Sequence, residues 1–166
     1  FLNAGDVLKN KNIVSELANI PNENNMPDIL YGETDLIDSK GNLMGGRRLR
    51  APENLTWKSF RMGMLVSHQA FIAKRNIAST YDLHYHFSAD FDWCIRCMQK
   101  AKTIVNSHLC LVNYLYEGLT TSNRKESLKE RYEIMCKYYG TFATTMYHIW
   151  FAIRFYWAKY FTRNKV

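Results

Sequence analysis

Acidic residues mark two places where an apolar, strand-like run gives way to a helix-like one. The chain opens with Phe-Leu-Asn-Ala-Gly-Asp, which puts Asp6 between a short apolar run and a helical pattern. Ser88-Ala-Asp-Phe-Asp-Trp repeats the arrangement, with Asp90 and Asp92 in the first turn of a predicted helix. In an open α/β sheet the carboxyl ends of the strands form the ligand-binding edge. The two acidic positions are therefore expected to converge on one site through the fold.

Apolar periodicity and turn residues predict alternating strands and helices over most of the chain. Helices are predicted at residues 9–17, with Asp6 as a possible cap, and at 89–100, with Ser88 as the N-cap. Strands are predicted at residues 28–38 and 43–49 (paired as a hairpin), 68–73, 103–105 and 109–114. From residue 124 the pattern is helical, and Gly140 separates two segments. The expected fold class is α/β, followed by a helical tail.

Each candidate residue also has a purely structural interpretation. Asp6 is either a ligand of a hard cation or a plain helix cap. Asp90 and Asp92 are two residues apart at a helix start, so they project differently, and one is free to face a cleft while the other bonds neighbouring groups. His68 and Gln69, in an apolar run, either line that cleft or lie in the core.

Basic residues are concentrated at the end of the chain. The formal net charge is +7, and residues 122–166 contain nine Lys or Arg against three Glu. A hydrophobic content of 47% excludes a disordered chain. Aromatic side chains among these basic residues are also a pattern that stacks on nucleic-acid bases. Their helical spacing within an apolar stretch suits packing or a membrane surface better, so nucleic acid is the less favoured partner.

The final segment, residues 146–163, is predicted to be an amphipathic helix. It is too short and too often charged to cross a bilayer, which needs about 20 mostly apolar residues. Its apolar-aromatic stripe consists of Ile149, Ala152, Ile153, Tyr156, Trp157 and Tyr160. Such a stripe is typical of a helix lying in the membrane interface, here on the inner face of the cell membrane. The alternative is packing on its own domain or on a second copy in a homo-oligomer.

The four cysteines do not resemble a secreted disulfide framework, which favours a cytoplasmic protein. Cys94 and Cys97 form a lone CxxC, and a zinc site would need further ligands from His84, His86 or His108. Buried, unreactive thiols are the favoured interpretation.

Four motifs, taken in order, resemble the second half of family 2 glycosyltransferases of the GT-A fold. They are LNAGD, YGETDLID with SKGN, SHQAFIAKR, and YDLHYHFSADFDWCIR. The resemblance covers residues 1–123 and implies a partial GT-A, Rossmann-like sheet. The nucleotide-binding strands of such a domain are expected to precede residue 1, so these residues alone are expected to be inactive. Residues 124–166 are then the basic, aromatic helical tail.

The resemblance implies an inverting enzyme of cell-surface polysaccharide or glycan biosynthesis. Its donor would be a nucleotide-diphosphate sugar, its acceptor a glycan or lipid-linked hydroxyl, and its cofactor Mn²⁺ or Mg²⁺. The family's two metal-binding aspartates fall on Asn3 and Gly5, near the expected donor phosphates, and Asp6 alone retains a carboxylate for the metal. These replacements also leave open an inactive partner subunit.

The family's catalytic base falls on Asp90, although Ala89 replaces the glutamate that usually precedes it. The residues that the resemblance places along the acceptor cleft are His68, Gln69, Asp92 and Trp93.

Overall fold

A five-stranded mixed sheet is the centre of the fold. The computed structural model describes residues 2–20, 26–116 and 123–163. The elements are β1 (Val7–Leu8), α1 (Ile13–Ala18), β2 (Ile29–Ile37), β3 (Leu43–Gly46), β4 (Phe71–Ala73), α2 (Ala89–Lys100), β5 (Ile104–Leu115), α3 (Arg124–Tyr139) and α4 (Thr141–Arg163). Two 3₁₀ helices, Trp57–Met62 and His68–Ala70, precede β4. The α/β class predicted from the sequence is confirmed.

Strand β2 is the middle of the sheet. It pairs in parallel with β5 along one edge, from Ile29 opposite Ile104 to Ile37 opposite Leu115. Strands β3 and β4 pair antiparallel with different halves of its other edge. Strand β1 closes the far side by pairing antiparallel with β5. Because β2 and β5 are parallel, the chain needs a crossover between them, and this crossover contains α2.

A glycine allows β2 and β5 to pair closely where β5 is irregular. The register shifts between Tyr31 and Glu33, and His108 of β5 has a positive φ of 56°. A Cβ atom on Gly32 would overlap the carbonyl oxygen of Leu109 and would lie 2.7 Å from Ser107 Oγ. No other residue type fits there without moving β5.

The core lies between the sheet and α2 and extends to α3. Phe91 and Ile95 of α2 are fully buried, and the Phe91 ring stacks on Phe60 with 5.4 Å between ring centroids. Ile134 and Met135 of α3 belong to the same buried cluster. The first helix of the predicted tail therefore packs on the domain that precedes it.

Most predicted elements are present, with informative differences. The β2–β3 hairpin, the bounds of α2 and the helix break at Gly140 are confirmed. Helix α1 begins at Ile13 instead of residue 9, because the amide of Lys9 donates to Leu111 of β5. Residues 68–70 form a 3₁₀ turn before the short β4, and the two strands predicted at 103–105 and 109–114 are one bulged strand.

Candidate functional site

A pocket of about 570 Å³ opens beside Tyr114, near the C-terminal end of β5. Several separate segments of the chain supply its lining. The lining residues are Leu2, Asn3, Arg47, Met64, Ser67, His68, Gln69, Tyr81, His86, Phe87, Ala89, Asp90, Tyr114 and Arg131. The two sequence motifs that carry Asn3 and Asp90 therefore meet at one cavity, although Asp6, the acidic residue expected there, is not among its lining residues.

Asp90 and His68 form the most closely organised pair in this pocket. His68 Nδ1 lies 3.0 Å from Asp90 Oδ2, and the amide of Phe91 donates to Asp90 Oδ1 at 2.8 Å. The Asp90 side chain remains 26% exposed and lines the cavity. These two contacts hold the Asp90 carboxylate in one orientation, and a group that reacts with a bound ligand needs such a fixed orientation.

The electrostatic surroundings keep Asp90 ionised. Burial raises the pKa of this carboxyl, but the hydrogen bond and charge of His68 and the charge of Arg131 outweigh burial. The net pKa lies below the ordinary aspartate value. At neutral pH the group is therefore a carboxylate that can accept a proton.

Glu130 of α3 fixes the start of α2, and with it Asp90. Its carboxylate accepts the amides of His86, Phe87 and Ser88 at 2.8–2.9 Å. Ser88 occupies the predicted N-cap position, but its hydroxyl donates to the carbonyl of Ser127 at 3.1 Å instead of capping its own helix. Helix α3 thus supplies the carboxylate that a helix N-terminus favours.

Asp6 lies behind the pocket wall and supports it. It is 9% exposed, its Oδ1 accepts the amide of Leu115 at 2.8 Å, and its Oδ2 accepts Gln69 Nε2. Burial raises its pKa, and the bonds from Leu115 and Gln69 partly oppose this rise. Asp6 therefore holds the pocket residue Gln69 in place, and it does not cap α1.

Asn3 lines the pocket, whereas Gly5 shapes the turn before Asp6. Gly5 has a φ of +89°, and a Cβ atom there would lie 2.6 Å from the side chain of Leu115. The positive φ favours glycine at this position, so Gly5 has a structural role in the turn.

The described residues do not fit a metal centre built from protein ligands. Asp6 is the one carboxylate of the first motif, and both of its oxygens already accept hydrogen bonds. Within the described ranges there is no group of three or more His, Cys, Asp or Glu that could hold an ion. Hard divalent cations take six or more oxygen ligands. The role of Mn²⁺ or Mg²⁺ stays a prediction, and no catalytic step is derived through it.

The structure places Asp92 and Trp93 outside the pocket lining. Asp92 is fully buried and accepts hydrogen bonds from Arg96 Nε at 2.6 Å, the Tyr138 hydroxyl at 2.7 Å and Lys137 Nζ at 3.2 Å. Trp93 donates its indole N–H to Ser79 at 2.7 Å and packs edge-on against Phe71. Both residues join α2 to its neighbours. Helical geometry turns Asp92, two positions after Asp90, to the opposite side of α2, whereas Trp93 is held by its contacts with Ser79 and Phe71.

Two arginines of the pocket were not singled out by the sequence. Arg47 follows β3, and its guanidinium donates to the carbonyl of Met64 at 2.9 Å. Arg131 lies in the middle of α3 and contacts the face of Phe91. A signal for Arg131 was available, because Ser127, Arg131 and Ile134 share one face of a helix at i, i+4 and i+7.

Two tyrosines, Tyr81 and Tyr114, also line the cavity. Burial raises the pKa of Tyr81 to about 12, and burial also raises the pKa of Tyr114. Both phenols are therefore protonated at neutral pH and are able to donate hydrogen bonds to a polar ligand.

The cysteines are structural. Cys94 and Cys97 are buried in α2, and burial raises the pKa of both thiols. They remain protonated and unreactive at neutral pH, which agrees with the interpretation favoured from the sequence.

Helix α4 leaves an aromatic face exposed. Its Tyr147 and Phe151 pack on the core, whereas Ile149, Ile153, Tyr156 and Trp157 of the predicted stripe are 47–68% exposed. The side chain of Tyr160 lies outside the described part of the chain. Among the helices that the structure describes, none has the length and apolar character needed to cross a bilayer.

No protein-family model, curated protein or solved structure matches this chain. The fold and the site geometry are therefore the evidence on which a function is proposed.

Proposed function

We propose that the chain carries the base and the acceptor-facing pocket of an inverting glycosyltransferase. The observation that carries this proposal is the Asp90 carboxylate, which is ionised, fixed by His68 and Phe91, and exposed to a cavity large enough for a sugar unit. Support also comes from the order of the four motifs, which resembles the second half of a family 2 GT-A domain.

Asp90 acts as the general base for the acceptor hydroxyl. The hydroxyl oxygen attacks the anomeric carbon of the donor, and the bond from that carbon to the diphosphate oxygen breaks. The electron pair leaves with the nucleoside diphosphate, and the acceptor proton passes to the Asp90 carboxylate. A single displacement of this kind inverts the anomeric configuration.

The lowered pKa of Asp90 has a consequence for the timing of this transfer. A weak base removes a proton effectively once bond formation has made the hydroxyl more acidic. Proton transfer to Asp90 therefore accompanies formation of the new bond. His68 is a positioning residue, because it holds Asp90 Oδ2 while the Asp90 side chain stays partly exposed at the cavity.

The proposed substrates follow from this chemistry. The donor is a nucleotide-diphosphate sugar, and the acceptor is a glycan or lipid-linked hydroxyl. The exposed aromatic face of α4 is proposed to bring the pocket to a membrane surface, which suits a lipid-linked acceptor.

The test is product stereochemistry, measured on the protein that combines these residues with donor-binding strands. A panel of α-linked nucleotide sugars is incubated with glycan and lipid-linked acceptors, and the new linkage is assigned by NMR coupling constants. A β-linked product supports the proposal. An α-linked product contradicts a single displacement with Asp90 as base. Absence of transfer across the panel, together with intact folding, favours the inactive partner subunit.

A further inference from the structure

Two arginine side chains reach the pocket without a carboxylate partner. Arg47 and Arg131 both line the cavity, and neither forms an ion pair with any residue that the structure describes. The Nε atom of Arg131 is buried and has no hydrogen-bond acceptor within the described ranges. Buried cations are normally paired, because removing a charge from water costs free energy that a partner must offset.

The two guanidinium groups also affect each other. Burial lowers the pKa of both arginines, and the charge of Arg131 lowers that of Arg47 further. Arginine remains protonated in spite of such shifts. Asp90 is close enough to act on both charges, but it is engaged with His68. Glu33 also acts on the charge of Arg47, but it lies outside the pocket lining and is paired with Arg50. Two arginine side chains and one carboxylate, that of Asp90, therefore line the pocket. A bound anion would balance the remaining positive charge.

The geometry points to a diphosphate group as that anion: we infer that Arg47 and Arg131 form a diphosphate-binding site that works without a divalent metal. The planar guanidinium fork suits phosphate oxygens, to which it donates paired hydrogen bonds. Two arginines on different elements match two linked phosphates better than one small anion. Assigning this diphosphate to a sugar donor rests on the proposed function, whereas the anion site itself does not.

This site accounts for the weak metal motif. Asp6 has both oxygens engaged, and Asn3 and Gly5 bring no charge to the position where the family has aspartates. A leaving diphosphate must still be neutralised. Arg47 and Arg131 supply two positive charges on the same cavity that contains Asp90.

Calorimetric titration with inorganic pyrophosphate, in excess chelator, tests the inference. Binding is expected without added metal, and raising the salt concentration is expected to weaken it. Arg47→Gln and Arg131→Gln should each weaken binding about 10-fold or more, since each removes a charge-assisted contact. Arg48→Gln and Lys129→Gln are matched controls. Arg48 follows Arg47 in the loop after β3, Lys129 lies two positions before Arg131 on α3, and both side chains are exposed. These controls should bind as the unaltered protein does.

A second measurement on the unaltered protein avoids variants that fail to fold. Pyrophosphate should shift the side-chain Nε–H resonance of Arg131 in a ¹⁵N-correlated NMR spectrum. Binding that appears only with Mn²⁺ or Mg²⁺, equal weakening by the control variants, or an unchanged Arg131 resonance would overturn the inference. Pyrophosphate contains no sugar, so this result is independent of whether Asp90 is the base.

Discussion

Replacing Asp92 with asparagine should destabilise the fold and leave the pocket intact. The carboxylate is fully buried and accepts hydrogen bonds from Arg96, Lys137 and Tyr138. Asparagine has the same shape but no charge. Its amide nitrogen is a hydrogen-bond donor, so it cannot accept the bond that the replaced carboxylate oxygen accepted.

The magnitude follows from the three contacts. Hydrogen bonds to a charged group contribute about 1.5–3 kcal/mol each, and this applies to Arg96 and Tyr138. The Lys137 side chain is 46% exposed, so its contribution is below about 1 kcal/mol. Two features reduce the expected loss: the asparagine side chain keeps one acceptor oxygen, and the Arg96 side chain is 23% exposed, so that water can solvate it. We expect a loss of about 3 kcal/mol, the low end of the range for breaking a buried ion pair.

Thermal denaturation measures this loss. For a domain of 150–250 residues, 1 kcal/mol corresponds to about 2–4 °C, so the melting temperature should fall by about 6–12 °C. Asp38→Asn is the control, because an asparagine oxygen can still accept the turn amides of Lys40 and Asn42, and the bond that is lost, from Asn42 Nδ2 to Asp38 Oδ2, is exposed to solvent. That variant should melt within about 2 °C of the unaltered protein.

The difference should depend on pH in a defined direction. Burial raises the pKa of Asp92, but the bonds from Tyr138, Arg96 and Lys137 outweigh it, and the folded pKa is lowered. A lowered aspartate pKa stabilises the fold above the unfolded value of about 3.9, and this contribution disappears as the pH falls through the folded pKa. The gap between Asp92→Asn and the unaltered protein should therefore close in acid. If Asp92→Asn keeps the stability of the unaltered protein but loses sugar transfer, this reasoning is refuted, and Asp92 would instead act in the acceptor cleft.

Three further expectations concern the sheet, α4 and the pH dependence of transfer. Gly32→Ala should lower the free energy of unfolding by about 1–3 kcal/mol, measured in urea, because β5 leaves no space for a Cβ atom; an unchanged midpoint would contradict the close pairing. Tyr156→Glu with Trp157→Glu should reduce co-sedimentation with anionic vesicles while monomer mass is unchanged; equal partitioning, or a loss of dimer instead, would assign this face to packing or a homo-oligomer. Transfer should persist at pH values well below the histidine range, because the pKa of Asp90 lies below the ordinary aspartate value; an inflection near pH 6.5 would indicate a histidine base instead.

Local patterns were sufficient to predict the elements that depend on neighbouring residues. The bounds of α2 and the hairpin of β2 and β3 follow from period, capping positions and turn residues. The strand predicted at 68–73 was shortened by a 3₁₀ turn, and this turn directs His68 towards Asp90. Short-range patterns contain no information on that contact, which joins residues 22 positions apart.

Long-range partners decided which acidic residues face the pocket. Asp90 and Asp92 are equivalent in the sequence, as both lie in the first turn of α2. Asp92 accepts hydrogen bonds from Lys137 and Tyr138, which lie on α3, about 45 residues further along the chain. Asp90 has no such hydrogen-bond partner among the described residues of α3 and lines the cavity. Similarly, the sequence places Arg131 in a basic helical tail without a defined partner, whereas α3 packs on the core in the structure.

The central claim is that Asp90 takes the acceptor proton, and Asp90→Asn tests it most directly. Transfer is measured as nucleoside diphosphate released in the presence of acceptor, by the protein that combines these residues with donor-binding strands. General-base catalysis contributes about 10²- to 10⁴-fold, so kcat should fall by at least about 100-fold while donor affinity is retained. Asp82→Asn is the charge-matched control, since Asp82 lies outside the pocket lining. An Asp90→Asn variant that folds normally and keeps most of its turnover would contradict the account.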